Sequence, residues 1–327
     1  MAWTLAELSK IETDTLRKSV IDTLIMESNL MELVPWETIG TLATTVVKIK
    51  DLPSVGFRKV NEGYEESIGH FEQAVESISL FGGDIDTDIA IARAKNTIAD
   101  ARAIQQQLKL KATAYSFNDK FINGNPTSDP EEYKGLQKRV DDIYNSNTTV
   151  FVSQYIDLGD TVSLGILRDS AARFAFLDKL NELIYAIKGH APDYLLMNKK
   201  MLLCVRSLLL REKLLDTTSD MFNRRIDVYL GARMVDIGVK ADQSTEIITN
   251  TETLGGGSTN TSIYAVKFGI GESTWGIQQY PIEVRDIGEL ESKPVYRTRV
   301  DWNLGLATVD PRSLGRLYGV VASAVSA

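Results

Sequence analysis

The sequence predicts an α+β protein, with strands concentrated towards the carboxyl end and helices in the middle of the chain. Three strands punctuated by glycine and proline are predicted at residues 262–268, 281–286 and 295–302. A long helix is predicted from residue 86 to about residue 123. The chain has 327 residues, which is enough for one large core or for two domains.

The strand at 295–302 alternates between two kinds of side chain. One face carries Tyr296, Thr298, Val300 and Trp302, and the other carries Val295, Arg297, Arg299 and Asp301. A period of two is typical of a half-buried strand, and here the second face is polar and charged.

The first thirty residues carry apolar side chains at helical spacing. These are Leu5, Leu8, Ile11, Leu16, Ile21, Leu24 and Ile25. The spacing predicts an amphipathic helix, with room for one break, that ends before Val34-Pro35. Its apolar face packs either on its own domain or, as an arm, on a neighbouring subunit.

Residues 41–60 read as a hairpin, with a turn at 51–56 and a return strand at 57–60. Its polar positions are basic: Lys48, Lys50, Arg58 and Lys59. An acidic stretch follows, with Glu62, Glu65 and Glu66. Such a hairpin has few apolar residues to anchor it, so it either extends into solvent or lies across a partner of opposite charge.

The long predicted helix would span roughly 50 Å at 1.5 Å per residue. Asp86 or Thr87 is expected to cap it, with Asp84 and Asp88 beside the positive end of its dipole. Small and apolar residues recur every three or four positions up to Tyr115, and Asn123-Gly-Asn-Pro126 ends the pattern. The alanine-rich seam favours packing on a sheet over a coiled coil.

Four further segments follow the long helix. Ser128-Asp-Pro has helix-start chemistry. Two helices are then predicted: one presents Leu177, Leu180, Leu183, Ile184 and Ile187, and the other, from 198 to about 213, buries Met201, Leu202, Val205, Leu208 and Leu209. Residues 240–262 form a polar loop around Gly255, Gly256 and Gly257, which is either functional or a disordered surface loop.

Composition disfavours several classes of protein. Lys and Arg total 36 against 44 Asp and Glu, which gives a net charge of −8. A protein that binds nucleic acid usually carries a basic patch. The same charge fits a surface that does not adhere to nucleic acid, or solubility alone. A single cysteine excludes a disulfide framework, and neither a signal peptide nor a membrane span is expected.

No catalytic, metal or cofactor constellation is predicted. His70 and His190 lack ligand spacing, and Cys204 lies on the apolar side of a helix, where an inert core thiol is expected. A calcium loop starting at Asp84 is rejected because Ile89 and Lys95 stand where glycine and glutamate are required. Neither a phosphate loop nor a Gly-x-Ser-x-Gly elbow is found, so an enzyme is not expected.

Several segments resemble the major capsid proteins of tailed bacteriophages, which have the Hong Kong ninety-seven type fold. They are GIQQYPIEVRDIGEL at 276–290, PVYRTRVDW at 294–302, GLA at 305–307, PRS at 311–313, YKGLQ at 133–137 and APDYLLMNKK at 191–200. The resemblance covers nearly the whole chain in order. It implies an N-terminal arm at 1–38, an extended loop at 39–80, a peripheral domain with a spine helix at 81–150, an α/β axial domain at 151–278, and returning strands of the peripheral domain with the carboxyl terminus at 279–327.

The resemblance also implies a function. The chain would be made in the bacterial host cytoplasm and would self-assemble into pentamers and hexamers that close into the icosahedral shell of the virion around phage DNA. No cofactor, membrane or sequence-specific DNA contact is implied. Portal and decoration proteins are implied partners. The arm-like helix leaves no room for a fused scaffolding domain, so a separate scaffolding protein is implied if Met1 is the native start.

Inter-subunit contacts are implied for the hairpin, the glycine loop and the last long strand. The candidates are Lys48, Lys50, Arg58, Lys59, Glu62, Glu65, Glu66, Gly255, Gly256, Gly257, Arg297 and Arg299. Some shells of this fold carry isopeptide cross-links, for which Lys48, Lys50, Lys59 and Asn303 are the candidates. Three alternatives stay open: an encapsulin-type shell that loads an enzyme, a tail or connector protein, and a soluble α+β enzyme.

Overall fold

A computed structural model describes residues 28–92, 101–146, 154–159, 165–219 and 225–322. The predicted N-terminal helix lies outside the described residues up to position 27. The helices described are α1 (Asn29–Leu33), α2 (Ile89–Ala92), α3 (Ala101–Asn123), α4 (Leu136–Ser146), α5 (Ser170–Ala186) and α6 (Lys199–Arg211). Short 3₁₀ turns occupy Lys188–His190 and Pro311–Ser313.

The described strands form two sheets and a ribbon. The five-stranded sheet contains β1 (Trp36–Thr38), β4 (Ser79–Asp88), β11 (Thr274–Gln278), β12 (Glu283–Glu289) and β13 (Val295–Thr308). The ribbon pairs β2 (Ala43–Asp51) with β3 (His70–Ser77). The seven-stranded sheet runs in the order β5 (Tyr155–Asp157), β14 (Leu314–Val320), β10 (Thr261–Val266), β6 (Tyr194–Met197), β9 (Ala232–Asp236), β8 (Arg225–Tyr229) and β7 (Asp216–Ser219).

Strand β13 is the centre of the five-stranded sheet. It pairs antiparallel with β4, β12 and β11, and its buried side chains include Thr298, Val300 and Trp302. Arg297 and Arg299 point to the other face and stay partly exposed. The predicted alternation is therefore confirmed, and the strand continues six residues beyond the predicted end at position 302.

The start of the long predicted helix is wrong. Residues 79–88 are strand β4, α2 takes four residues, and α3 begins at Ala101. Asp84 and Asp86 do not cap a helix because each meets an arginine guanidinium across the β4–β13 ladder. Asp88 does accept a hydrogen bond from the backbone N–H of Ala90, and the predicted end at Asn123 is confirmed.

Helix α3 packs on the five-stranded sheet, as predicted, but the predicted seam is wrong: Leu108 is 55% exposed, and the buried face carries Leu110 and Ala114. Phe117 lies 5.4 Å from Trp302 and 5.8 Å from Trp36, measured between ring centroids. The same hydrophobic cluster includes Leu196 and Tyr264 from the seven-stranded sheet. The helix therefore joins the two sheets through one continuous core, and its aromatic contacts add to the free energy of burial.

Helices α5 and α6 cover the opposite face of the seven-stranded sheet. Asp169 caps α5 by accepting from the N–H of Ala172, and Asn198 caps α6 by accepting from the N–H of Met201. Both predicted helices are confirmed. Their inner side chains form a second core with the sheet, which includes Phe176.

The helix predicted to begin near Ser128 is displaced. The chain turns through this region and α4 begins at Leu136. Glu132 pairs with Lys120 and accepts from the N–H of Asn125, which ties this turn to the end of α3.

The ribbon is longer than the predicted hairpin. Its return strand is β3, which begins at His70, and residues 57–60 are not a strand. Lys48 lies opposite Glu72, and Val47 lies opposite Gln73. The turn residues at 51–56 open a loop of eighteen residues, from 52 to 69, instead of closing the hairpin.

Candidate inter-subunit surface

The loop at 52–69, here termed the tip, exposes a set of large apolar side chains. The exposed fraction runs from 70% to 109% for Leu52, Val55, Phe57, Val60, Tyr64 and Ile68. Fully burying a side chain of this size contributes about 1.5–3 kcal/mol. The expectation that the hairpin has few apolar residues is therefore wrong. The tip offers an anchor for another surface.

The charged side chains of the tip partly stabilise its own turn. The Arg58 guanidinium lies 5.1 Å from the centre of the Tyr64 ring and donates to the backbone oxygen of Glu62. The N–H of Lys59 donates to the Glu62 carboxylate. Lys59, Glu65 and Glu66 are exposed. With two cations against three carboxylates, the tip is not simply basic, so its apolar side chains dominate its character.

The outer face of the ribbon continues the apolar surface. Val47, Phe71 and Val75 are exposed by 49%, 71% and 70%. Thr45 lies opposite Val75 in the register, so Val47 and Val75 are diagonal neighbours on the same face. The three side chains form one stripe along the ribbon.

The inner face of the ribbon is fixed to the body by a buried ion pair. Both guanidinium nitrogens of Arg139 on α4 donate to the carboxylate of Glu76 on β3, at 2.8 and 2.9 Å. Arg139 also donates to the backbone oxygens of Leu306 and Lys134, at 2.7 and 3.0 Å. Glu76 is 8% exposed and Arg139 is 5% exposed. The pair therefore orients the base of the ribbon on the five-stranded sheet.

Lys48 lies on this inner face. Burial lowers the pKa of its amine, and the Glu76 carboxylate partly offsets that effect. Its backbone lies opposite Glu72, towards the tip end of the ribbon, and its amine interacts with the Glu76 carboxylate. Lys50 belongs to the same strand, beside an irregularity in the ladder between Ile49 and Asp51.

Arg297 and Arg299 are paired within the chain. Arg297 donates two hydrogen bonds of 2.7 Å to the Asp86 carboxylate. Arg299 donates two to the Asp84 carboxylate, at 2.6 and 2.9 Å. These hydrogen bonds are the main reason that the pKa values of both aspartates are lowered. The arginines are therefore parts of an ion-pair ladder on the polar face of the sheet. A partner would therefore meet arginines whose charge is already paired with aspartates of the same chain.

The glycine loop is folded against the edge of the seven-stranded sheet. A Cβ added to Gly255, which has φ +85°, would lie 2.7 Å from the Cα of Gly319. Asn260 donates to the backbone oxygen of Leu254 at 2.8 Å, and a Cβ on Gly257 would meet the Asn260 side chain. Gly256 is exposed. These contacts hold the loop against the edge of the sheet.

The cross-link candidates lie in different environments. The Asn303 side chain, on β13, donates to the Gln279 amide oxygen at 2.8 Å and is only partly exposed. Lys59 is exposed at the tip, and Lys48 lies on the inner face of the ribbon, opposite Glu72. The three residues therefore belong to the sheet, the tip and the ribbon respectively.

The described residues hold few reactive groups. They contain no cluster of His, Cys, Asp and Glu suited to a metal ion. Burial raises the pKa of the Cys204 thiol, which keeps it protonated. Among these residues no helix has the length and apolar character of a membrane span.

The sequence does not predict the buried pair of Glu76 and Arg139. The two residues are 63 positions apart, and each sits in a segment with ordinary alternation of polar and apolar side chains. Their pairing depends on how α4 crosses the ribbon. No local pattern indicates that crossing.

The fold is shared with solved shell proteins. The SrpI encapsulin of Synechococcus elongatus has a TM-score of 0.62 at 15% identity, covering 91% of this chain and 89% of that chain. The capsid of the native GTA particle gives 0.58 at 12% identity, with 90% and 91% covered. A chain of Mycobacterium phage Bobi gives 0.56 at 12% identity, with 90% and 89% covered. The chain therefore has the Hong Kong ninety-seven type fold.

The sequence also matches a known protein family. Residues 12–164 match the family model described as major capsid protein GP7. No curated protein matches the chain. The family match, which spans just under half of the chain, and the shared fold confirm the resemblance to the tailed-phage major capsid protein family.

Proposed function

We propose that the chain is the major capsid protein that self-assembles into pentamers and hexamers, which close into the icosahedral shell of the virion around phage DNA. The exposed apolar tip of the ribbon is the observation that supports assembly most directly. Val55, Phe57 and Val60 are each at least 89% exposed, on a segment with no core of its own. A second copy of the chain is the proposed cover.

Weak contacts suffice for such a shell because closed symmetry repeats each of them many times. Burial of Val55, Phe57 and Val60 on a neighbour would contribute about 5–9 kcal/mol for each subunit before the cost of ordering the tip. The buried pair of Glu76 and Arg139 supports this proposal, since a fixed base presents the tip in a defined direction.

The proposed role is structural. Ion pairs lower the pKa values of Asp84 and Asp86, and burial raises that of the Cys204 thiol. The net charge of −8 supports enclosure of DNA without sequence-specific binding. A separate scaffolding protein, a portal and decoration proteins are the proposed partners.

The tip and the glycine loop are the proposed inter-subunit contacts. Arg58, Lys59, Glu62, Glu65 and Glu66 would surround the apolar contact, as polar residues surround the core of an interface. Lys50, Gly256 and the arginine ladder are secondary candidates. A cross-link would require a neutral amine, which the lowered pKa of Lys48 favours, within reach of a partner side chain, which the exposure of Lys59 favours.

An encapsulin-type compartment is the second candidate. The likeness to the SrpI encapsulin, at a TM-score of 0.62, supports it, whereas the match to a phage capsid family model supports the first. The contents of purified shells discriminate between the two. An enzyme cargo retained inside small shells would favour the encapsulin.

Substitution in the tip tests the proposed contact. The double variant Val55→Ser and Phe57→Ser should assemble much less than the parent chain in light scattering. Its free energy of unfolding should stay within about 0.5 kcal/mol because both side chains are exposed. Ile287→Ser is the control, since Ile287 is 45% exposed on β12. Unchanged assembly of the tip variant would contradict the proposal.

A further inference from the structure

The hairpin of β8 and β9 is closed by a strained turn. Tyr229 pairs with Ala232, so the turn consists of two residues, Leu230 and Gly231. Their φ values are +49° and +85°, which is the type I′ geometry of two-residue hairpins. Such a turn favours asparagine followed by glycine, because a bulky side chain is rarely found in the left-handed region. Leucine is therefore an unfavourable residue for this position.

Burial within the chain offsets only part of this strain. The Leu230 side chain is 52% exposed, whereas Tyr229 and Ala232 on either side of the turn are at most 5% exposed. Among the described residues, four besides the glycines have a positive φ, and Leu230 is the one of them with an apolar side chain. A strained residue whose apolar side chain stays half in solvent indicates a contact outside the chain.

Leu214 lies beside Leu230 at the same end of the sheet. The first pair of the β7–β8 ladder lies two residues after Leu214 and two residues before Leu230. Leu215 and Tyr229 face the second core. Because side chains alternate along an extended chain, Leu214 and Leu230 face away from that core. Leu214 is 47% exposed, and the two leucines form a small apolar surface, here termed the edge patch.

The rim of the edge patch carries charge of both signs. Lys213 and Asp216 are exposed on either side of Leu214. A rim with one cation and one carboxylate does not favour a polyanion such as DNA, which would select a basic surface. An apolar centre with a mixed polar rim is instead the composition of a contact between proteins.

We infer that the edge patch docks on a second copy of the chain within the shell. This inference rests on the proposed shell function and adds an inter-subunit contact to the tip. Each partner of a stable complex buries about 800 Å², of which two half-exposed leucines supply only a small part. A separate partner protein would therefore gain little from the patch. A closed shell repeats the contact at every subunit, so a small contact contributes there.

Replacement of Leu230 by asparagine separates the contact from the fold. Asparagine suits a type I′ turn, so the urea midpoint of Leu230→Asn should equal that of the parent chain or exceed it. The critical concentration for assembly, measured by light scattering, should nevertheless rise about threefold to tenfold because the apolar contact is lost. Leu230→Met keeps an apolar side chain and should assemble like the parent. Ile287→Asn is the matched control, since Ile287 is 45% exposed on the other sheet, and its critical concentration should not change.

Thiol labelling measures the burial of the edge patch directly. Leu230→Cys should react with a small maleimide in unassembled chains and about tenfold more slowly, or less, in assembled particles, where the docked copy excludes the reagent. Cys204 adds little background because it is 7% exposed. Ile287→Cys is the control and should react at similar rates in both states.

The outcomes separate this inference from the proposed function. Assembly of Leu230→Asn at the parent concentration, or equal labelling of Leu230→Cys in both states, would overturn the inference and leave the shell function standing. A fall in the urea midpoint of Leu230→Asn large enough to explain weaker assembly would also overturn it, because the leucine would then serve the fold. A parent chain that never assembles would overturn the shell function and the inference with it.

Discussion

Replacement of Arg139 by methionine should destabilise the chain more than any exposed substitution. The change removes two bonds to the Glu76 carboxylate and the bonds to the backbone oxygens of Leu306 and Lys134. It leaves a carboxylate that is 8% exposed. Removing one partner of a buried ion pair costs about 3–5 kcal/mol. Lys48 lies close enough to Glu76 to offset part of the loss, so about 3 kcal/mol is expected.

Urea unfolding followed by tryptophan fluorescence measures this cost. A loss of about 3 kcal/mol corresponds to a fall of about 1 M in the urea midpoint, for a slope near 3 kcal/mol per M. Trp302 and Trp36 report on the core that holds α3 on the same sheet. The measurement should be made at a protein concentration below that of assembly, so that subunit contacts do not add to the apparent stability.

A second variant separates the ion pair from the packing of the arginine. Glu76→Gln combined with Arg139→Met leaves no buried charge of this pair, so at least half of the lost stability should return. The reasoning would be refuted if Arg139→Met cost less than about 1 kcal/mol, or if the double variant were less stable than Arg139→Met alone.

Three further predictions concern single residues. Asp242 accepts hydrogen bonds from Thr245 and Ser244, which lower its pKa to about 2. Its contribution to the free energy of unfolding is therefore present above pH 4 and is lost as the pH falls towards 2. Asp242→Asn should remove that part of the acid unfolding curve, and an unchanged curve would contradict the assignment. Gly255→Ala should lower the free energy of unfolding by about 1–3 kcal/mol, which urea unfolding measures. The control Gly271→Ala should cost less, because both glycines have positive φ but only Gly255 lies against the backbone of Gly319. Equal losses would refute the role of the Gly319 contact. Lys48→Met should be neutral or stabilising within about 1 kcal/mol, since burial disfavours the charged amine, and a loss above 2 kcal/mol would show that the amine is a required partner of Glu76.

The sequence predicts best the elements that bury one face. The alternation of Thr298, Val300 and Trp302 and the leucine spacing of α5 and α6 lead to correct elements. Strands β11 and β14 are missed because every residue of β11, and nearly every residue of β14, is buried, which removes the alternation. Asp84 and Asp86 illustrate the opposite error. Their alternation with Ile85 and Thr87 indicated a strand, but the acids were assigned to a helix cap.

The sequence predicts where along the chain the candidate surface lies, but not which of its side chains are exposed or paired. The basic and acidic residues at 48–66 locate the extended loop, and the structure places Lys48 on the inner face of the ribbon and Arg58 in the turn of the tip. The return strand is misplaced because turn residues mark a bend without fixing which later segment pairs. The anchor of Glu76 on Arg139 and the pairing of Arg297 with Asp86 join residues 63 and 211 positions apart. Contacts of that range follow from the fold and not from local patterns.

Negative-stain electron microscopy of the purified chain, with light scattering on a sizing column, tests the central claim most directly. The account predicts pentamers and hexamers or closed shells tens of nanometres across, formed by the chain alone or with its scaffolding protein, and the shell diameter separates a phage capsid from an encapsulin. A monomer or dimer that forms neither rings nor shells, even with a scaffolding protein present, would contradict the account.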